Sequence, residues 1–132
     1  MKQISRNKDT GNAVERYSKS FMHAIDGIIY AIRYEHNMII IILAAFVAVI
    51  SGVLLDLNST EWLFVTLIIG LVMASEMINT AIEAAIDLET LKKHPLAKIA
   101  KDTASSATLI LSITAFIGAI NIYAPKIIAY LI

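Results

Sequence analysis

Three long apolar runs, set between polar segments, organise this chain. Met38 to Leu55 carries no charged residue and is built mainly of Ile, Val, Leu and Ala. At that length it spans the roughly 30 Å hydrocarbon core of a bilayer, so a first transmembrane helix is expected over 38–57. The short polar turn from Asp56 to Glu61 follows, and its Asn58, Ser59 and Thr60 suit the start of another helix. Trp62 then stands where an interfacial aromatic belongs, which predicts a second span over 61–87. A polar loop from Glu89 to Lys101, broken by Pro95, leads to an uncharged run from Thr103 to Pro125. The third span is expected over 97–124, with Tyr123 and Tyr130 as interface anchors. Ahead of all three, Val14, Tyr17, Phe21, Ile25, Ile28 and Ile32 recur at spacings of three and four, interrupted by Arg16, Lys19, His23, Asp26 and Arg33. That period predicts an amphipathic helix over 13–35, suited to lie in the membrane interface. The fold class expected is an all-α membrane protein: one surface helix and three transmembrane helices.

Composition agrees and narrows the choices. The chain has 132 residues, enough for a single domain, with 58% hydrophobic residues and a mean hydropathy of +0.70. Its formal net charge is zero, so nothing global points to nucleic acid. Without cysteine it has no disulfide and no thiolate ligand for zinc. The first 20 residues are polar and lack an apolar core followed by a cleavage site, so no signal peptide is expected. Lys2, Arg6, Lys8, Arg16, Lys19 and Arg33 precede the first span, and Lys92, Lys93, Lys98 and Lys101 lie between the second and third. The 56–61 turn has no Lys or Arg, and the C-terminal end has only Lys126. The bias predicts a cytoplasmic N-terminus and a cytoplasmic 89–101 loop.

One stripe breaks the apolar pattern. Asn79, Glu83 and Asp87 follow Glu76 at offsets of three, seven and eleven residues, so all four share one helix face. Ionised groups inside a bilayer cost about 2.5–3.5 kcal/mol each on insertion scales, which points to a polar site built within the membrane. No Walker loop, GxSxG elbow or HExxH motif is present, and His23, His36 and His94 show no ligand spacing. Glu76, flanked by Ala74, Ser75, Met77 and Ile78, has the apolar setting of a general base. Glu83 lies closer to the cytoplasm, and Glu35 ends the surface helix at a similar depth. Two carboxylates from different helices, with phosphate oxygens, are a normal way to hold Mg²⁺. Lys101 at the start of the third span would neutralise a phosphate, with Asp102 orienting it or assisting a metal. Together these suit phosphoryl transfer to a hydroxyl already in the membrane. Plainer readings stay open: Glu83 and Asp87 snorkelling to water, Asn79 as helix–helix glue, Lys101 as topology, Glu35 as a surface charge. Two other classes also remain. A small proton-coupled transporter would use Glu76 as its titrating group, and a scaffold subunit would have no chemistry. Small residues at Ala81, Ala84, Ala85 and 104–107 favour close helix approach, so an oligomer with sites near subunit boundaries is expected.

The run EMINTAIEAAID from Glu76 to Asp87, followed by HPLAKIAKD from His94 to Asp102, resembles the small prokaryotic diacylglycerol kinase family, most nearly its Gram-positive branch. The resemblance covers roughly 15 to 125. It implies a homotrimeric membrane kinase of the bacterial plasma membrane that uses ATP and Mg²⁺ to phosphorylate a lipid alcohol. Undecaprenol is the favoured acceptor and diacylglycerol the alternative. By match to the family motif, Glu76 would deprotonate the lipid hydroxyl, with Asn79 supporting it. Glu35 and Glu83 would bind the metal and the nucleotide it holds. Asp87, His94, Lys101 and Asp102 would line the nucleotide region, Arg16 and His23 would approach it from the surface helix, and Ser105 would fall near the lipid. Two departures stand out. Asn37-Met38-Ile39 lacks the arginine that relatives carry there, and Lys92-Lys93 replaces a Glu-Tyr pair.

Overall fold

A computed structural model describes residues 12–132; Lys2, Arg6 and Lys8, which enter the charge bias, lie outside the described residues. Four helices follow one another: α1 (Ala13–Tyr34), α2 (His36–Leu54), α3 (Ser59–Glu89) and α4 (Pro95–Leu131). The last three are long and apolar enough to cross a membrane. α1 and α2 are separated by Glu35 alone, whose backbone is extended (φ −104°, ψ 112°) and whose N–H donates to the Ala31 carbonyl at 2.9 Å. Ala31 and Met38, either side of this elbow, are fully buried. α1 reaches α3 where Gly27 faces the Met77 methyl: a Cβ at Gly27 would lie 3.9 Å from it, an ordinary contact.

Two helix ends differ from the expected limits by more than two residues, each for a local reason. α2 stops at Leu54, short of 57, because Asp56 takes a left-handed conformation (φ 51°). The Asp56 N–H donates to the Val53 carbonyl and the Leu57 N–H to that of Gly52, a Schellman closure that satisfies the last carbonyls of α2. α4 runs past 124 to Leu131, carrying Pro125 within it. Proline removes one backbone donor, a break that membrane helices tolerate when neighbouring groups satisfy the freed carbonyl. At the other end, Pro95 occupies the first turn of α4, where its missing N–H costs nothing, and the His94 Nδ1 accepts from the Leu96 N–H at 3.2 Å.

α3 and α4 form the most extensive pairing, an antiparallel hairpin. Ion pairs pin its register at both ends: Asp87–Lys101 (2.5 Å) beside the connecting loop and Glu61–Lys126 (3.1 Å) at the far end. Among the described residues apolar burial is sparse, confined to Ala31, Met38, Leu57, Val65 and Val72, while Phe46, Ile110 and Phe116 stand exposed. That distribution suits a chain whose solvent is lipid. With 31 residues α3 rises about 46 Å, more than the roughly 30 Å hydrocarbon core. Counting about 20 residues from Trp62 sets the opposite core boundary near Glu83. Glu76 is then inside the hydrocarbon, and Asp87 is outside it.

Candidate functional site

The polar face of α3 is more sharply divided than its spacing suggests. Glu76 is 1% exposed and Asn79 5%, whereas Glu83 is half-buried and Asp87 exposed. The Asn79 amide donates to Glu83 Oε1 at 3.3 Å, so one turn of the helix links the two. Among the described residues, neither carboxylate oxygen of Glu76 has a hydrogen-bond partner; nor do the Asn79 Oδ1 and the hydroxyls of Thr80 and Thr108. A buried polar group left unpaired costs about 1–3 kcal/mol, more when charged. A cluster of them marks a place where the fold is prepared for something it does not itself supply.

Toward the loop, a cavity of about 610 Å³ opens where α3 meets α4, with Asp87, Lys92, Lys93, His94, Lys101 and Asp102 in its walls. Four lysines reach it, since Lys98 also lines it. Two are already engaged: Lys101 with Asp87 across the hairpin, and Lys98 with Asp102 one turn away on α4. Their carboxylates hold them in place, and an incoming polyphosphate would compete for the same ammonium groups. His94 has its Nδ1 committed to the α4 cap, leaving Nε2 to meet a ligand.

Along α2, α3 and α4 runs a second hollow, an apolar groove of about 630 Å³. Its walls include Ile41, Ala45, Val72, Ser112, Ala115 and Ala119. Val72 precedes Glu76 by one turn, so the groove approaches the buried carboxylate from the side opposite the lysine-rich cavity. Apolar groove, buried acid and cationic basin thus follow one another along a single helix.

The structure therefore groups Glu76, Asn79 and Glu83 on α3, and Asp87, His94, Lys101 and Asp102 around the basin. Glu35 is half-buried at the α1–α2 elbow. Among the described residues, no three His, Asp or Glu side chains converge to form a metal site. Arg16 and His23 are exposed on α1; the His23 ring lies 4.0 Å from Asp26, and no hydrogen bond or ion pair joins either residue to the basin. Ser105 is exposed on α4.

The matches to known proteins decide what this arrangement belongs to. The model of the prokaryotic diacylglycerol kinase family matches residues 22–123. An undecaprenol kinase from Bacillus subtilis (strain 168) is 41% identical over 91% of this chain and 98% of its own length. The chain belongs to the prokaryotic diacylglycerol kinase family. It is a membrane lipid kinase, and ATP is its phosphoryl donor. A diacylglycerol kinase from Synechocystis sp. is 32% identical over 86% of this chain and 65% of its own, and one from Helicobacter pylori (strain J99) is 36% identical over 73% and 75%. Kinase membership leaves the transporter and scaffold readings without support.

Two buried polar residues of this kinase, Thr80 and Thr108, did not stand out in the linear pattern. The signal was present but needed the hairpin register. Thr80 lies seven residues before Asp87, and Thr108 seven after its partner Lys101.

Proposed function

We propose that this kinase transfers the γ-phosphoryl group of ATP to the hydroxyl of undecaprenol, giving undecaprenyl phosphate and ADP. The observation that carries the reading is the buried carboxylate of Glu76, unpartnered and set between an apolar groove and a lysine-rich cavity. A long isoprenoid tail fits the groove, and its terminal hydroxyl reaches Glu76. As the acceptor oxygen bonds to the γ-phosphorus, its proton passes to a Glu76 oxygen and the bond to the β–γ bridging oxygen breaks. ADP leaves with that electron pair. Asn79 holds Glu83 and keeps this turn of α3 in register. Lys101, released from Asp87, and His94 and Asp102 beside it receive the nucleotide, with Arg16 and His23 closing from α1 and Ser105 beside the lipid.

Glu35 and Glu83, hard oxygen donors, are the residues that would hold Mg²⁺ together with phosphate oxygens. When bound, the ion neutralises phosphate charge. The kinase sits in the bacterial plasma membrane as a homotrimer, its N-terminus and 89–101 loop on the cytoplasmic side where ATP is found. The lysine bias and the small-residue patches support this arrangement.

Undecaprenol is preferred because identity is highest, among the relatives compared, to an undecaprenol kinase and lower to diacylglycerol kinases. The family's other members favour diacylglycerol as the second reading. A competition assay separates the two. The protein in mixed bilayers, given γ-labelled ATP and equal amounts of both alcohols, is expected to label undecaprenyl phosphate at least about tenfold faster. Preferential labelling of phosphatidic acid would overturn the acceptor assignment.

A further inference from the structure

Hydroxyls inside membrane helices usually bond back to their own backbone, which removes the cost of burying them. Several in this kinase do so. Thr66, Thr103, Ser106 and Thr114 each donate to the carbonyl four residues earlier, and Ser75 to that of Val72. Thr80 and Thr108 do not. Each is 8% exposed, and neither hydroxyl has a partner among the described residues. Threonine in a helix has a rotamer that reaches its own helix and one that does not. These two, among the most buried polar residues described, have hydroxyls left free.

Their height in the molecule says what for. The α3–α4 register is fixed by Asp87–Lys101 at one end and Glu61–Lys126 at the other. Two turns along each helix from the first pair bring Thr80 and Thr108 to the same level, about 10 Å from the lysine. Glu76 lies one turn further on, about 6 Å beyond. Both hydroxyls therefore stand between the proposed base and the proposed nucleotide cavity. That interval is crossed by the transferring phosphoryl group, whose three equatorial oxygens gather charge and call for hydrogen-bond donors. The residue of α4 at this level is Thr108; Ser105 is exposed to the side.

We infer that the hydroxyls of Thr80 and Thr108 donate hydrogen bonds to the γ-phosphoryl oxygens in transit, a pair of uncharged donors in a dry site. The inference rests on Glu76 acting on the lipid hydroxyl. Each hydroxyl is unpaired before the substrates meet and satisfied in the transition state, so its contribution falls on kcat. Loss of one donor of this kind costs about a hundredfold in rate.

The test compares Thr80→Val and Thr108→Val, close in shape but without the hydroxyl, with Thr80→Ser and Thr108→Ser, all as full chains in lipid nanodiscs. Expected for each Val variant are a kcat lower by about a hundredfold, KM for ATP and for the lipid alcohol within about threefold, and thermal stability equal or higher. The Ser variants are expected to recover most of kcat. A raised lipid KM with kcat intact would assign the hydroxyls to the headgroup and overturn the inference. So would a lowered melting temperature with kcat intact, the mark of a bond made within the protein or its assembly. A fall in kcat that serine fails to restore overturns it as well. Glu76→Gln, run alongside, separates the two levels: if it stays active the base assignment has failed, whereas an inactive Glu76→Gln beside fully active Val variants sinks this inference alone.

Discussion

The first turn of α3 and its buried stretch around Glu76 handle their polar groups in opposite ways. At its N-terminus three backbone N–H groups, those of Asn58, Thr60 and Glu61, have side-chain partners. Asn58 Oδ1 accepts from the N–H groups of Thr60 and Glu61, and the Glu61 carboxylate returns to the Asn58 N–H at 2.7 Å. Lys126 joins that carboxylate at 3.1 Å and the Asp56 carbonyl at 3.2 Å, while the Tyr123 hydroxyl donates to the Ala48 carbonyl at 2.8 Å. Trp62 closes over Gly52. Four turns along the same helix, Glu76, Asn79 and Thr80 are more deeply buried and largely unpaired. The first turn is built to hold α2, α3 and α4 together. The stretch around Glu76 carries unpaired polarity of the kind that gathers at functional sites.

Mutation at the two places should therefore separate activity from stability. The largest effect belongs to the unpaired stretch. Glu76→Gln keeps the shape and removes the proposed proton acceptor, so turnover should fall by at least about a hundredfold while the melting temperature in detergent holds or rises. A melting temperature that drops instead would mean the carboxylate has a structural partner, and the contrast between the two places would collapse.

Gly52→Ala probes the satisfied turn. The new Cβ would lie 2.9 Å from Trp62 Cη2 and 3.3 Å from Leu57 Cδ2, with a rigid ring as the obstacle. Thermal unfolding should report a loss of about 1–3 kcal/mol, with unchanged kcat per folded molecule. A fall in kcat without loss of stability would show that the 56–61 turn communicates with the site.

The smallest expected effect is a gain. Asp56 holds a left-handed conformation that glycine adopts without penalty, and its contacts to Val53 and Lys126 run through the backbone. Asp56→Gly should stabilise the protein by roughly 0.5 kcal/mol and leave both KM values alone. Destabilisation would show that the Asp56 side chain contributes more than its conformation costs.

Much of the fold was legible in the chain because a bilayer simplifies the code. A segment without charges for twenty residues has few alternatives to a helix. Asn58 to Thr60 announced the start of α3, and Asn58 is its cap; the Glu61 half of the capping box came only with the structure. The stripe from Glu76 to Asp87 was equally plain, since the period of a helix puts those offsets on one face. The ends of α2 and α4 were less legible. Asp56 turns left-handed without the glycine that usually marks such a position, and Pro125 sits inside a helix it was expected to end. Thr80 and Thr108 could not be told apart from Thr66 or Thr114 by spacing, because a threonine that bonds back to its helix and one that does not look identical in a row of letters.

What the sequence by itself determined is the membrane, the helices and the shared face of the acidic stripe, all consequences of hydropathy and a fixed period of 3.6 residues. Only the tertiary structure decided which of those acids is dry, which lysine meets Asp87, and which hydroxyls stay free. Those depend on the register between α3 and α4, set by packing and two ion pairs separated by some 25 residues along each helix. No local pattern within either helix encodes that register.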